Sequence, residues 1–108
     1  MASQAKKLDQ VFGALSNPTR RALLDAVANG EQTVLQLAKP HKMSLNAVSK
    51  HLKRLEDAGL VRREVDGSFH RISLDADAMK SAFKWMSHYA PFWADNLASL
   101  KRYVEEET

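Results

Sequence analysis

The chain has no cysteine. That absence excludes disulfides, a thiol redox switch and any metal site built on thiolates. It has no run of about 18 apolar residues and no charged-then-apolar leader at its N-terminus, so a cytoplasmic protein with no membrane partner is the expectation. A Gly-rich phosphate loop and a nucleophile motif are both missing, as is any His and carboxylate pair at ligand spacing. The reading is therefore of a non-enzyme, with no catalytic residue and no cofactor. Of the histidines, His41, His51 and His70 fall on different elements, and Asp77 and His88 lack companion ligands, so no metal site is expected either. Glycine and proline are scarce, at four and three of 108 residues, and act as punctuation rather than as linkers. One domain over residues 1–108 is expected, small enough that burial against a partner would add to its stability.

What is present is an uneven charge. The net charge is +3, but residues 1–74 hold twelve Lys and Arg against seven Asp and Glu, whereas residues 75–108 hold four against six. The basic character belongs to the first two thirds, which suits an anionic partner such as nucleic acid.

Within that part, Met43 to Val61 is the most organised stretch. Ser44 is a good N-cap and Gly59 a good residue just past the C-terminus, which predicts a helix of about four turns between them. Val48, Leu52, Leu55 and Ala58 form its apolar stripe, while Asn46, Ser49, Lys50, Lys53 and Arg54 cluster on the other side. Glu56 and Asp57 come only in the last turn, so the first three turns carry cations without local counter-charge. A helix fits the major groove of DNA, where short polar side chains near its N-terminus reach base edges, and Asn46 and Ser49 stand at such positions.

Upstream, Leu8, Val11, Phe12 and Leu15 line one face of a first helix from Gln4 to Leu15. Asn17-Pro18 then opens a second helix that ends at Asn29-Gly30. Arg20 and Arg21 in its first turn oppose the helix dipole and call for an anionic partner or water. Thr33 caps a third, short helix that Pro40 stops beyond Lys39. A short helix, a brief turn and a longer amphipathic helix follow the order of a helix-turn-helix.

Downstream, Leu60 to Val65 and Ser68 to Leu74 alternate around Asp66-Gly67, a strong hairpin signal. Arg62, Arg63, His70 and Arg71 make this hairpin basic enough to lie along phosphates, in the manner of a wing. From Asp75 onward (about 75–106) the pattern is helical. Met79, Phe83, Met86, Ala90, Trp93, Leu97, Leu100 and Val104 repeat at alternating four and three, beside a second row of Trp85, Tyr89, Phe92 and Tyr103. Pro91 predicts a kink or break near Ser87 to Ala90. The fold expected is mainly α with a β-hairpin wing, in the order α-α-α-α-β-β-α(-α).

The segments LSNPTRRALLDAVANGE, TVLQLAKPHKMS and SLNAVSKHLKRLEDAGLVRREVDGSFHRISL, with the aromatic tail, resemble the ArsR/SmtB-like family of winged-helix transcriptional repressors. The most specific part is VSKHLKRLEDAGLVRREVDG, and NPTRRALL is an independent match. The resemblance covers nearly all of the chain from Leu8 and implies a homodimer, paired through its first and last helices. Such a dimer binds a palindromic operator in double-stranded DNA until an effector, which this sequence does not name, weakens binding. It further implies that Thr33 touches phosphate and that Ser44, Leu45, Asn46, Ser49, Lys50 and His51 form the DNA-facing start of the recognition helix. The helical wheel agrees for Asn46, Ser49 and Lys50, but sets His51 at the edge of the packed face. Lys53, Arg54, Arg62, Arg63, His70 and Arg71 complete the expected DNA surface. Leu8, Val11, Phe12 and Leu15, with Phe83, Met86, Trp93, Leu97, Leu100 and Val104, complete the expected dimer surface. The rival reading is a winged-helix interaction module whose basic hairpin binds an acidic protein.

Overall fold

The computed structural model describes residues 2–107, with side chains described for residues 5–93 and 99–106. Among the described residues, six helices and three strands follow in the order α1 (Ala2–Leu15), α2 (Pro18–Ala28), β1 (Gln32–Thr33), α3 (Val34–Ala38), α4 (Leu45–Asp57), β2 (Val61–Asp66), β3 (Phe69–Leu74), α5 (Asp77–Ser87) and α6 (Ala90–Glu107). The strands form one antiparallel sheet in the order β1-β3-β2. This is a winged helix-turn-helix. The core lies where α1, α2, α3 and α4 meet the base of the sheet, and Leu23, Leu37, Leu52, Leu55, Leu60 and Ile72 are fully enclosed there.

Local chemistry sets the ends of the elements. Asn17 caps α2 through its side-chain oxygen, which accepts from the Arg20 N–H at 3.1 Å. Thr33 and Gln36 form a reciprocal capping box on α3. Arg20 and Arg21 oppose the dipole of their own helix, yet their partners are neither phosphate nor acid. Arg20 Nε and Nη2 donate to the carbonyls of Ala14 and Gly13 at 2.7 and 3.1 Å, and Arg21 Nη1 donates to that of Leu15 at 2.8 Å. These are carbonyls that the end of α1 leaves without helical partners, at the negative pole of its dipole.

At the end of α4 the Gly59 N–H donates to Glu56 O at 2.9 Å and the Leu60 N–H to Leu55 O at 3.0 Å, with Gly59 at φ +77°. Leu55 and Leu60, buried together, add the apolar contact of this terminator and turn the chain into β2.

Two details depart from the sequence expectation. Residues 32–33 form a strand that pairs with Ile72 and Arg71, too short to show any alternation. The hairpin loop is Gly67-Ser68 rather than Asp66-Gly67, because Asp66 pairs with Phe69 across the ladder. Gly67 has φ +62° and no non-glycine residue takes positive φ among the described residues, so Gly67 occupies the first loop position as a II′ turn requires.

Helix α5 ends at Ser87 and α6 begins at Ala90, with Pro91 in the first turn of α6, where its missing N–H removes no helical bond. Helix α5 packs beside α1, with Ala82 in the core, Ala78 and Met79 against it, and the Trp85 ring meeting Phe12 edge-on at 5.7 Å between centroids. The row continues to Tyr89 and Phe92 at 5.1 and 6.4 Å. Part of the second aromatic row thus stacks within the protomer, yet Phe92 and Tyr103 remain exposed, as does the seam residue Phe83 at 70%.

A Cβ at Gly59 would lie 3.5 Å from Ala78, an ordinary contact, so replacing this glycine tests backbone conformation rather than space. Gly59→Ala should cost about 1–2 kcal/mol, seen as a lower urea midpoint at unchanged slope.

Candidate nucleic-acid interface

Helix α4 turns Val48, Leu52 and Leu55 fully inward. The opposite side must then face solvent, and Leu45, Asn46, Lys50 and Lys53 are exposed on it, with Ser49 half-buried beside them. The Ser44 hydroxyl accepts from the Ala47 N–H at 3.1 Å, leaving its own hydrogen and the remaining first-turn N–H groups at the positive end of the dipole. Lys50 has no ion pair among the described residues. Lys53 Nζ donates to Asp57 Oδ1 at 2.7 Å, a hydrogen bond that holds its pKa above the usual lysine value. Both partners are exposed, so the pair is weak and exchangeable.

Two residues expected on this surface also meet other elements. Arg54, exposed and four positions past Lys50 on the same stripe, extends its guanidinium to lie beside Gly13 of α1. His51 is half-buried against α2, with Nδ1 3.3 Å from Arg20 Nη1. The guanidinium can only donate, so Nδ1 is the acceptor and the ring proton sits on Nε2. Burial, then the charge of Arg20 and a contribution from His41, lower the His51 pKa. His51 therefore braces the recognition helix against α2 and the end of α1.

The wing shows the same division. Arg63 is only 18% exposed in its side chain, with Nε 3.2 Å from Glu56 Oε2 and Nη1 3.2 Å from the half-buried His70 Nδ1. It ties the hairpin to the last turn of α4 instead of extending outward. Alternation explains this, since Val61, Arg63 and Ile72 share the inward face of the ladder. Arg62 and Arg71 face out, Arg62 near Asp75 at 3.8 Å and Arg71 near Asp66 at 3.5 Å and Glu31 at 3.9 Å. The exposed pairs of Arg71 can be replaced by phosphates at little cost.

Between α3, the start of α4 and the wing runs a concavity of about 290 Å³, bordered by Thr33, Leu35, Leu45, Ser49, Phe69 and His70. Leu35 and Phe69 were not legible as part of this surface. Neither has an apolar row of its own, and only the return of the hairpin brings Phe69 over α3.

Of the apolar residues assigned to a partner, Val11 is fully buried within the protomer and unavailable, and Leu8 and Leu15 pack against the same core. Phe12, Met86, Trp93, Leu100 and Val104 are exposed, as is Phe83. The Leu97 side chain lies outside the described ones. No group of three or more His, Cys, Asp and Glu side chains is placed to hold a metal ion among the described residues, and no described helix is long and apolar enough to cross a membrane.

The His51 contact has a pH signature. Its neutral form is favoured in the folded chain, so as pH falls the unfolded chain takes up the proton first. Stability from this site is complete above about pH 6.5 and declines below it. His51→Gln should flatten the fall in urea stability between about pH 7.5 and 5.5, and an unaltered slope would contradict the assignment.

Residues 15–64 match the family model of a helix-turn-helix domain. The chain is 30% identical over 82 residues to the transcriptional repressor SdpR of Bacillus subtilis, covering 76% of this chain and 91% of that protein. Identity is also 30% over 99 residues with the HTH-type transcriptional regulator Rv2034 of Mycobacterium tuberculosis, covering 92% and 90%. Among solved structures, the ArsR family transcriptional regulator RHA00566 matches with a TM-score of 0.78 at 32% identity, over 83% of this chain and 93% of that one. The homodimeric winged helix-turn-helix DNA-binding domain of Mb0332 from Mycobacterium bovis matches with a TM-score of 0.67 at 27% identity, over 84% and 86%. The likeness spans the helical core, the recognition helix and the wing at an identity and coverage that place this chain in the ArsR/SmtB family of winged helix-turn-helix transcriptional regulators.

Proposed function

We propose that the protein is a cytoplasmic repressor of transcription that binds double-stranded DNA as a homodimer on an inverted-repeat operator, without catalysis. The observation that carries this reading is the exposed row on α4. Asn46, Lys50 and Lys53 stand out from a capped helix whose other side is locked into the core by Val48, Leu52 and Leu55. A rigid helix of that kind can enter the major groove N-terminus first.

Asn46 and Ser49 read base edges in this reading. Thr33, Ser44, Lys50 and Lys53 hold phosphates beside them, and Arg62 and Arg71 extend the grip from the wing. His51, Arg54, Arg63 and His70 hold the helix and the wing in register rather than touching DNA. The dimer is built on the apolar surface left open by the protomer, with Phe83 and Met86 on α5 and Trp93, Leu100 and Val104 on α6 as its centre. Exposed apolar residues concentrated on two consecutive helices mark an interaction site rather than scattered surface. A twofold pair would space its recognition helices about 34 Å apart, one turn of DNA.

Asn46→Ala should relax base preference and cost roughly 1–3 kcal/mol on the selected operator. Lys50→Ala should instead weaken binding to all duplexes and reduce the salt slope by about one. Hardly any binding to duplex DNA at low salt would favour an acidic protein as the partner. For the dimer, Leu100→Glu places a charge on a side chain that is 60% exposed in the protomer, so the protomer should stay folded while the dimer dissociates and operator affinity falls. A monomeric wild-type protein in sedimentation, at concentrations well above those that bind DNA, would refute the dimer.

A further inference from the structure

The start of the recognition helix carries an exposed leucine with no structural task. Leu45 is 49% exposed at the first helical position of α4 and contributes nothing to the core, which begins at Val48. Single exposed leucines are ordinary. Here, however, Leu35 from α3 and Phe69 from the wing, both more than half exposed, border the same concavity of about 290 Å³ as Leu45. Three apolar side chains from three elements thus converge on one open space.

The setting of that space is polar and cationic. Thr33, Ser49, Ser68, Arg63 and His70 line it beside the apolar residues, and Asn46 and Lys50 are exposed on the adjoining stripe of α4. A purely apolar peptide would leave these donors without acceptors. The partner that fits is anionic along its backbone and carries small apolar groups on the edge that a helix reads. Double-stranded DNA meets both conditions at one base only, since thymine presents a 5-methyl group in the major groove. Leu45 and Ser49 are four residues apart and share a stripe of α4, next to the stripe of Asn46 and Lys50. Leu45 therefore stands beside the polar base-reading row and faces the same groove.

We infer that Leu45 is a specificity-determining residue that packs against the 5-methyl group of a thymine in each operator half-site, with Leu35 and Phe69 walling the contact from water. The inference rests on the DNA-binding reading above and adds to it the identity of one base and the group recognised on it.

The test uses a duplex recovered by selection from a random-sequence pool, synthesised once with thymine and once with uracil in its place, so that base pairing is kept and only the methyl groups are lost. The wild-type protein should bind the thymine duplex about ten- to twentyfold more tightly, the effect of one buried methyl group in each of the two half-sites. Leu45→Ala should lower affinity for the thymine duplex by a similar factor and leave the uracil duplex nearly unchanged, so that the two changes are strongly non-additive. Because the wild-type comparison needs no variant, it stands even if Leu45→Ala alters folding. Equal wild-type affinity for the two duplexes overturns the inference and leaves the DNA-binding reading intact. An equal loss on both duplexes for Leu45→Ala likewise removes the methyl contact. Failure to select or bind any duplex overturns the DNA-binding reading and this inference together.

Discussion

Burial of Val48, Leu52 and Leu55 along one side of α4 is the constraint from which the rest of the structure follows. Each is fully enclosed, and each such side chain is worth about 1.5–3 kcal/mol relative to exposure. With that side fixed, rotation of the helix about its own axis is closed off, and Asn46 and Lys50 have no direction left but outward. The Gly59 terminator then turns the chain sharply enough for Leu60 and Val61 to join the same core, which places the wing beside the helix rather than beyond it. Orientation of the polar face is thus a by-product of packing.

Charge is arranged in two classes around this frame. Arg20, His51, Arg63 and Glu56 are engaged with one another or with backbone carbonyls at the seams between α1, α2, α4 and the wing. Lys50, Lys53, Arg62 and Arg71 are exposed; Lys50 has no ion pair among the described residues, Lys53 and Arg71 meet exposed carboxylates, and Arg62 lies 3.8 Å from the half-buried Asp75. The first class fixes geometry, because removing one member leaves a partly buried polar group without its partner. The second exchanges partners cheaply, as a phosphate-binding surface requires. Arg20 joins the two ends of this scheme, since one guanidinium spans the final carbonyls of α1 and the His51 ring on α4. Any shift of α1, which borders the proposed dimer surface, would reach the recognition helix through that contact.

The C-terminal helices divide their apolar residues between two duties. Ala82 joins the core with Ala78 and Met79 against it, and Trp85 meets Phe12 of α1. Phe83 and Met86 are left on the outside, continuous in sequence with the exposed Trp93, Leu100 and Val104 of α6. A second copy of the chain is the occupant proposed for that surface.

The sequence alone determined the order of the elements, the helix-turn-helix, the hairpin and the helices' main boundaries. Those depend on local signals that act within a turn or two: Ser44 and Thr33 as caps, Gly59 as a terminator, Pro91 as a kink or break, and apolar spacing along α4. It also exposed the row of Asn46 and Lys50, because helical periodicity fixes which residues oppose Val48 and Leu52. What it left open were contacts between elements distant in the chain. Arg63 reads as one more basic residue of a hairpin, and His51 as one more position on a helix, until Glu56, His70 and Arg20 are brought to them. Neither the two-residue strand at Gln32–Thr33 nor the meeting of Leu35, Leu45 and Phe69 has any periodic trace, since both arise only when the hairpin folds back over α3. Tertiary structure alone decided which cations are committed and which are free, because a long side chain takes its partner from whatever element packs within its reach.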